Sequence, residues 1–189
     1  KTAPIFFPNT IGGYMPGVPM GPEVKNENEA NLMAKALFRG YVVICAGARG
    51  RGLKDDKGRN IGIAPAHIVD LKAAVRYIKW NKERIPGDTE KIISNGTSAG
   101  GALSALLGST GNHSDFEEYL QQIGAAPGTD DIFASSCYCP ITNLEHADMA
   151  YEWEFCGINE GSWWHGDFVL TEKQIEMSKS LAKAFPEYL

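Results

Sequence analysis

The sequence predicts an α/β fold, a mainly parallel sheet covered by helices on both faces, and three observations predict it. Short apolar runs without polar alternation recur along the chain, as strands buried on both faces require. Segments of helical periodicity separate those runs, so the connections are βαβ crossovers. Finally, Gly96-Thr97-Ser98-Ala99-Gly100-Gly101 joins one apolar run to a helix of small and apolar residues, the strand, tight turn and helix that a nucleophile elbow requires.

The first strand is Ile5-Phe6-Phe7, followed by the turn Asn9-Thr10-Ile11-Gly12-Gly13, where two glycines leave backbone N–H groups clear of side chains. A helix is expected over Asn26 to Phe38 and a second strand over Tyr41 to Cys45. The helix from Ile68 to Asn81 places Ile68, Leu71, Val75 and Ile78 three and four residues apart on one apolar stripe, with Lys72, Arg76 and Lys79 off it. Pro86-Gly87-Asp88 turns the chain into the third strand, Lys91 to Ser94. The elbow and its helix, Ala102 to Leu107, lead on to a fourth strand over Ile132 to Tyr138. From Glu145 to Phe168 aromatic and acidic residues crowd together without either period. The last helix runs from Thr171, where Thr171 and Gln174 make a capping-box pattern, to Phe185 before Pro186.

Bulk properties narrow the function. The 189 residues are 43% hydrophobic, enough for one domain with a sizeable core. A net charge of −5 and a single short basic cluster, Arg49-Gly50-Arg51, argue against a nucleic-acid surface. That cluster could reach a substrate carboxylate or phosphate, or pair with Asp55, Asp56 or a neighbouring loop. No run approaches the roughly 18–20 apolar residues of a membrane span, and Lys1-Thr2-Ala3-Pro4 lacks the apolar segment of a signal peptide. The four cysteines do not make a disulfide framework, which leans the compartment towards a reducing, cytoplasmic one. Cys137 and Cys139, two apart in a strand, point to one face. Together with His146 and Cys156 they fit no zinc spacing, so no metal is expected.

The elbow assigns the chemistry. Ser98 stands at the tip of the turn as nucleophile, and the Ala99 amide at the helix start faces any oxyanion formed on a carbonyl under attack. The Gly12-Gly13 turn is either a second set of oxyanion donors or a plain flexible loop.

Three segments also carry a family likeness: Pro8-Asn9-Thr10-Ile11-Gly12-Gly13-Tyr14-Met15-Pro16, the Gly96–Gly101 elbow, and the run from Tyr138-Cys139-Pro140 through Glu145-His146 to Tyr151-Glu152-Trp153. Together they resemble the bacterial tannases and tannase-like feruloyl esterases, a branch of the α/β-hydrolase superfamily, over nearly the whole chain. The resemblance implies an esterase acting on gallate- or hydroxycinnamate-type phenolic esters without metal or organic cofactor. It makes Ser98 the nucleophile, the Ala99 amide one oxyanion donor, and the loop of Gly12 and Gly13 the second. It also implies that residues 1–189 are strands three to six of one larger hydrolase domain and the start of its lid region.

The triad is incomplete on this reading. The superfamily order is serine, acid, histidine, and the compatible pairs after Ser98 include Asp131 with His146 and Asp148 with His165. The superfamily mounts its acid and histidine on loops after strands seven and eight, whereas one strand alone, Ile132 to Tyr138, is expected after the elbow, and His113 sits in a polar, solvated loop. The acid and histidine are therefore expected from a continuation or a second chain, which would also cover the two long hydrophobic sheet edges. His146, Tyr151 and Trp153 are candidate substrate contacts, with packing against the lid as the alternative. Two other functions stay open: a general carboxylesterase or acyl-peptidase, and a catalytically silent hydrolase-fold module that binds a partner.

Overall fold

The computed structural model describes residues 1–26, 29–142, 144–146, 153 and 170–188. Residues 1–141 and 142–189 make two compact units. The first carries β1 (Pro4–Pro8), α1 (Leu32–Phe38), β2 (Val42–Val43), α2 (Ala66–Trp80), β3 (Asp88–Thr97), α3 (Ala99–Ser109), α4 (Glu117–Gln122) and β4 (Ala134–Tyr138). The second carries a short 3-10 turn, Leu144–His146, and α5 (Glu172–Tyr188).

The four strands form one parallel sheet in the order β2-β1-β3-β4. Its two inner strands are the buried ones. Ile5, Phe7 and Ile92 are at most 1% exposed, and they pack on the α2 stripe of Ile68, Leu71, Val75 and Ile78 and on Leu103 and Leu107 of α3. Burial of each such side chain contributes about 1.5–3 kcal/mol, so this cluster accounts for most of what fixes β1 and β3 beneath α2 and α3.

The outer strands depart from the expectation of apolar runs buried on both faces. Of the expected Tyr41–Cys45 strand, Val42 and Val43 pair in register with β1 and the Ile44 N–H donates to the Phe6 carbonyl at 3.0 Å, but Val42 and Val43 are both half-exposed. β4 carries Ser135 and Ser136, which bond sideways rather than forming an apolar edge: Ser94 Oγ donates to Ser135 Oγ at 3.2 Å, Ser135 Oγ donates to the Ser104 carbonyl at 2.9 Å, and Asn95 Nδ2 donates to the Ser136 carbonyl at 3.2 Å. The expected long hydrophobic edges are thus one two-residue strand and one serine-bearing strand. Beyond β4, Cys139 has φ +42°, which breaks the strand alternation and the shared face expected for Cys137 and Cys139.

Two helix boundaries shift for local reasons. α1 begins at Leu32 rather than near Asn26 because Val24 pairs with Ala30, and the Asn31 side chain accepts from the Ala34 N–H at 2.9 Å as an N-cap. α5 opens with the expected capping box: the Thr171 N–H donates to Gln174 Oε1 at 2.8 Å and the Gln174 N–H to Thr171 Oγ1 at 3.3 Å. It then continues past Pro186 to Tyr188 instead of stopping before it.

A buried ion cluster fixes the far end of the elbow helix. Lys72 and Asp130 are 0% and 1% exposed in their side chains and lie 2.7 Å apart, with Arg76 2.9 Å from the other carboxylate oxygen. Asp130 also accepts from the Asn112 N–H, and Lys72 Nζ donates to the Thr110 carbonyl that follows α3. A cation on that carbonyl also complements the negative end of the helix. Although burial opposes it, contact with Lys72, the Asn112 amide and Arg76 holds the Asp130 carboxyl below the usual carboxylate range. No helix among the described residues is long and apolar enough to cross a membrane.

Candidate active site

Parallel strands put all their carboxyl ends on one edge of the sheet, and there β3 breaks into α3 at Ser98. The serine has φ +59° and ψ −123°, a conformation that costs a non-glycine residue about 1–3 kcal/mol unless its surroundings enforce it. They do so through three backbone bonds. The Ser98 N–H donates to the Tyr138 carbonyl at 2.9 Å, and its carbonyl accepts from Ala102 at 3.0 Å and Ile141 at 3.2 Å.

The flanking glycines are required by close approach. A Cβ on Gly96 would collide with the Gly100 carbonyl and come within 2.6 Å of Asn9 Nδ2, and one on Gly101 would lie 2.6 Å from the Tyr138 oxygen. Strand and helix can therefore meet tightly enough to make the turn only without side chains at these points. Ser98 Oγ makes no capping bond, and the Ala99 N–H, as the first of the helix, has no intrahelical acceptor. Among the described residues neither group has a hydrogen-bond partner.

The Gly12-Gly13 loop reaches the same place. Gly12 and Ser98 both line a groove of about 490 Å³, whose walls include Met20, Leu32, Met33 and Gly96. The Met15 N–H donates to the Gly12 carbonyl at 3.0 Å, and the two central residues, Gly13 and Tyr14, have φ +55° and +57°, the pattern of a type I′ turn. Gly12 and Gly13 are exposed, and their N–H groups have no acceptor among the described residues.

Asn9 staples this loop to the elbow. Its Nδ2 donates to the carbonyls of Asn95 and Gly100 and to Ser104 Oγ at 3.0–3.1 Å, while its Oδ1 accepts from the Ile11 N–H at 3.3 Å. From outside, Arg51 Nε donates to the Gly13 carbonyl at 2.6 Å. Of the two expectations for the Arg49–Gly52 cluster, the structural one therefore holds for Arg51. Arg49 is structural too, but its partner is Asp70 rather than Asp55 or Asp56, met by both Nε and Nη2 at 2.7–3.1 Å.

Other candidates fall elsewhere. Asp131 precedes β4, about 20 Å along the strand direction from the elbow. Burial pushes its carboxyl up, but Lys79, Asn112 and Thr129 outweigh this and hold it at about 2. His113 is exposed in the loop after α3, where its Nδ1 accepts from the Asp115 N–H. In the second unit, His146 sits in an exposed 3-10 turn and Trp153 packs on Phe185 of α5 at 5.2 Å between ring centroids. Asp148, Tyr151, Cys156 and His165 lie outside the described residues.

One buried histidine escaped the sequence reading. His67, on the first turn of α2, is 6% exposed and donates from Nε2 to the Tyr14 carbonyl at 2.6 Å. It precedes the elbow, so an order of serine, acid and histidine passes over it. Its only sequence signal is a polar residue at the head of an apolar helical stripe.

Comparison with known proteins agrees with the fold. The pattern of the BD-FAE family matches residues 17–184. The solved structure of Fusobacterium nucleatum tannase is 54% identical and superposes with a TM-score of 0.87 over all of this chain and 43% of its own. A tannin acyl hydrolase solved in complex with ethyl gallate is 54% identical, with a TM-score of 0.84 over all of this chain and 42% of its own. Among characterised proteins, Esterase LipC of Mycobacterium tuberculosis is 40% identical over 58 residues, 31% of this chain and 14% of that protein. The chain thus spans less than half the length of the tannases it matches.

Proposed function

The chain belongs to the BD-FAE family, an esterase family of the α/β-hydrolase fold, and on that premise we propose that it carries the nucleophile half of a serine carboxylic-ester hydrolase for phenolic esters. One observation carries the reading: Ser98 is forced to φ +59°, ψ −123° at a helix start, and its hydroxyl makes no capping bond. A fold gains nothing structural from such strain, which is characteristic of functional sites.

In the proposed reaction Ser98 Oγ attacks the ester carbonyl as a histidine accepts its proton. The carbonyl oxygen becomes an oxyanion held by the Ala99 amide and by Gly12 or Gly13. Collapse expels the alcohol, which takes the proton from the histidine, and leaves an acyl group on Ser98. Water then attacks the acyl-enzyme with the same histidine as base, and the free acid departs.

The acid and histidine are assigned to a continuation or a second chain. In support, His67 is engaged by Tyr14, while His113 and Asp131 occupy the opposite end of α3 and β4 from Ser98. On this assignment β1 to β4 are strands three, four, five and six of the complete sheet. The phenolic substrate is supported by the 54% identity to the tannin acyl hydrolase that was solved with ethyl gallate. His146, Tyr151 and Trp153 are proposed to contact the phenolic group, with no metal or organic cofactor taking part.

Parallel rate measurements on methyl gallate, methyl ferulate and ethyl butyrate test the reading in the full-length protein. A kcat/KM at least about tenfold higher for a phenolic ester supports it, a preference worth about 1.4 kcal/mol in the transition state. Equal rates on all three support the general carboxylesterase instead.

A further inference from the structure

Tyr14 is pinned more firmly than a loop residue needs to be. At φ +57° it sits where a tyrosine rarely goes, and groups from three other parts of the fold hold it there. Its Oη donates to the Ile141 carbonyl at 2.7 Å. Its carbonyl accepts from the Arg51 N–H at 2.7 Å and from His67 Nε2 at 2.6 Å, which uses both lone pairs. The ring meets the His67 imidazole edge-on at 5.7 Å. Since a carbonyl carries no proton, Nε2 must carry the one in the His67 contact. Burial raises the Tyr14 phenol above its ordinary value, which keeps its hydroxyl a donor.

Ile141 makes this more than packing. Its carbonyl takes the Tyr14 hydroxyl while its N–H donates to the Ser98 carbonyl at 3.2 Å. One residue thus links the turn bearing Gly12 and Gly13 to the residue bearing the nucleophile. Asn9 ties the beginning of the loop to α3, and Tyr14 ties its end to the elbow.

We propose that Tyr14 and His67 are positioning residues that set the Gly12 and Gly13 amides against Ser98, so that the two sides of the oxyanion site keep one spacing. The proposal rests on Ser98 being the nucleophile. His67 acts through the Tyr14 carbonyl rather than on substrate, and removing either residue should loosen donors that matter most in the transition state.

The test uses the full-length protein with methyl gallate and the variants Tyr14→Phe, His67→Ala and His67→Gln, each with its thermal midpoint. A glutamine amide can donate to the same carbonyl. Misplacing donors predicts a fall in kcat of about ten- to a hundredfold for Tyr14→Phe and His67→Ala, with KM within about twofold. His67→Gln recovers most of that loss. If Tyr14→Phe keeps wild-type kcat, or if His67→Gln is as slow as His67→Ala at an unchanged midpoint, the assignment is wrong. Wild-type protein that leaves methyl gallate and other esters intact overturns the nucleophile reading and this assignment together, whereas active wild type with an unaffected Tyr14→Phe overturns this assignment alone.

Discussion

Replacing Lys72 with methionine should be among the most damaging single changes outside the elbow. The methionine keeps most of the volume and removes the charge. Asp130, 1% exposed, then loses a partner at 2.7 Å but keeps Arg76 at 2.9 Å and the Asn112 N–H at 2.8 Å. The Thr110 carbonyl loses its Lys72 donor but keeps the His113 N–H at 3.1 Å, and the contact between Nζ and the Phe116 ring at 4.8 Å goes as well. Removing one member of a buried pair typically costs about 3–5 kcal/mol. The surviving Arg76 contact argues for the lower half of that range, and the lost hydrogen bond to Thr110 adds about 0.5–1.5 kcal/mol. A loss of about 4 kcal/mol is the expected sum. Urea denaturation of the full-length protein, comparing Lys72→Met with wild type, measures it. A loss below about 1 kcal/mol at unchanged m would mean instead that the cluster relaxes or hydrates freely and that Lys72 does not hold Asp130 in place.

Ser98→Gly should abolish ester hydrolysis yet raise stability by about 1 kcal/mol, because glycine tolerates φ +59°, ψ −123° without strain; urea midpoints decide it. Gly101→Ala, whose methyl would lie 2.6 Å from the Tyr138 oxygen, should cost more than about 2 kcal/mol and most of the activity, as read by the same denaturation and by methyl gallate turnover. Asn9→Ala removes the side-chain donor shared by the Gly100 carbonyl and the buried Ser104 Oγ and should lower kcat and stability together, by about 1–3 kcal/mol in the latter. The acid limb of stability follows from Asp130 and Asp131, whose folded carboxyls sit below their unfolded values. Their contribution is complete above about pH 4 and is lost as pH falls, for Asp131 down to about 2. Lys72→Met should flatten that decline in an acid titration of circular dichroism.

What could be read directly from the sequence was local. The elbow announces itself because its glycines, serine and flanking strand and helix are contiguous, and the Thr171–Gln174 box and the α2 stripe are likewise contained within a few turns. Lys72 and Asp130 are 58 residues apart, and a helical wheel that places Lys72 off the apolar stripe gives no sign that an acid will bury it. The same limit hid Tyr14 and His67, 53 residues apart and joined only through a backbone oxygen. The start of α1 was misplaced because polar residues before Leu32 suit a helix by propensity, whereas the Val24–Ala30 pairing and the Asn31 cap decide it. The outer strands read as core because an apolar run does not reveal whether its second face is covered.

The proposed reaction depends on an activated serine at position 98, which intact mass after fluorophosphonate treatment reads out. The full-length protein should gain one phosphonyl group, mapped to Ser98, and the Ser98→Ala protein should gain none. An unmodified wild type, or an adduct that persists in Ser98→Ala, would contradict it.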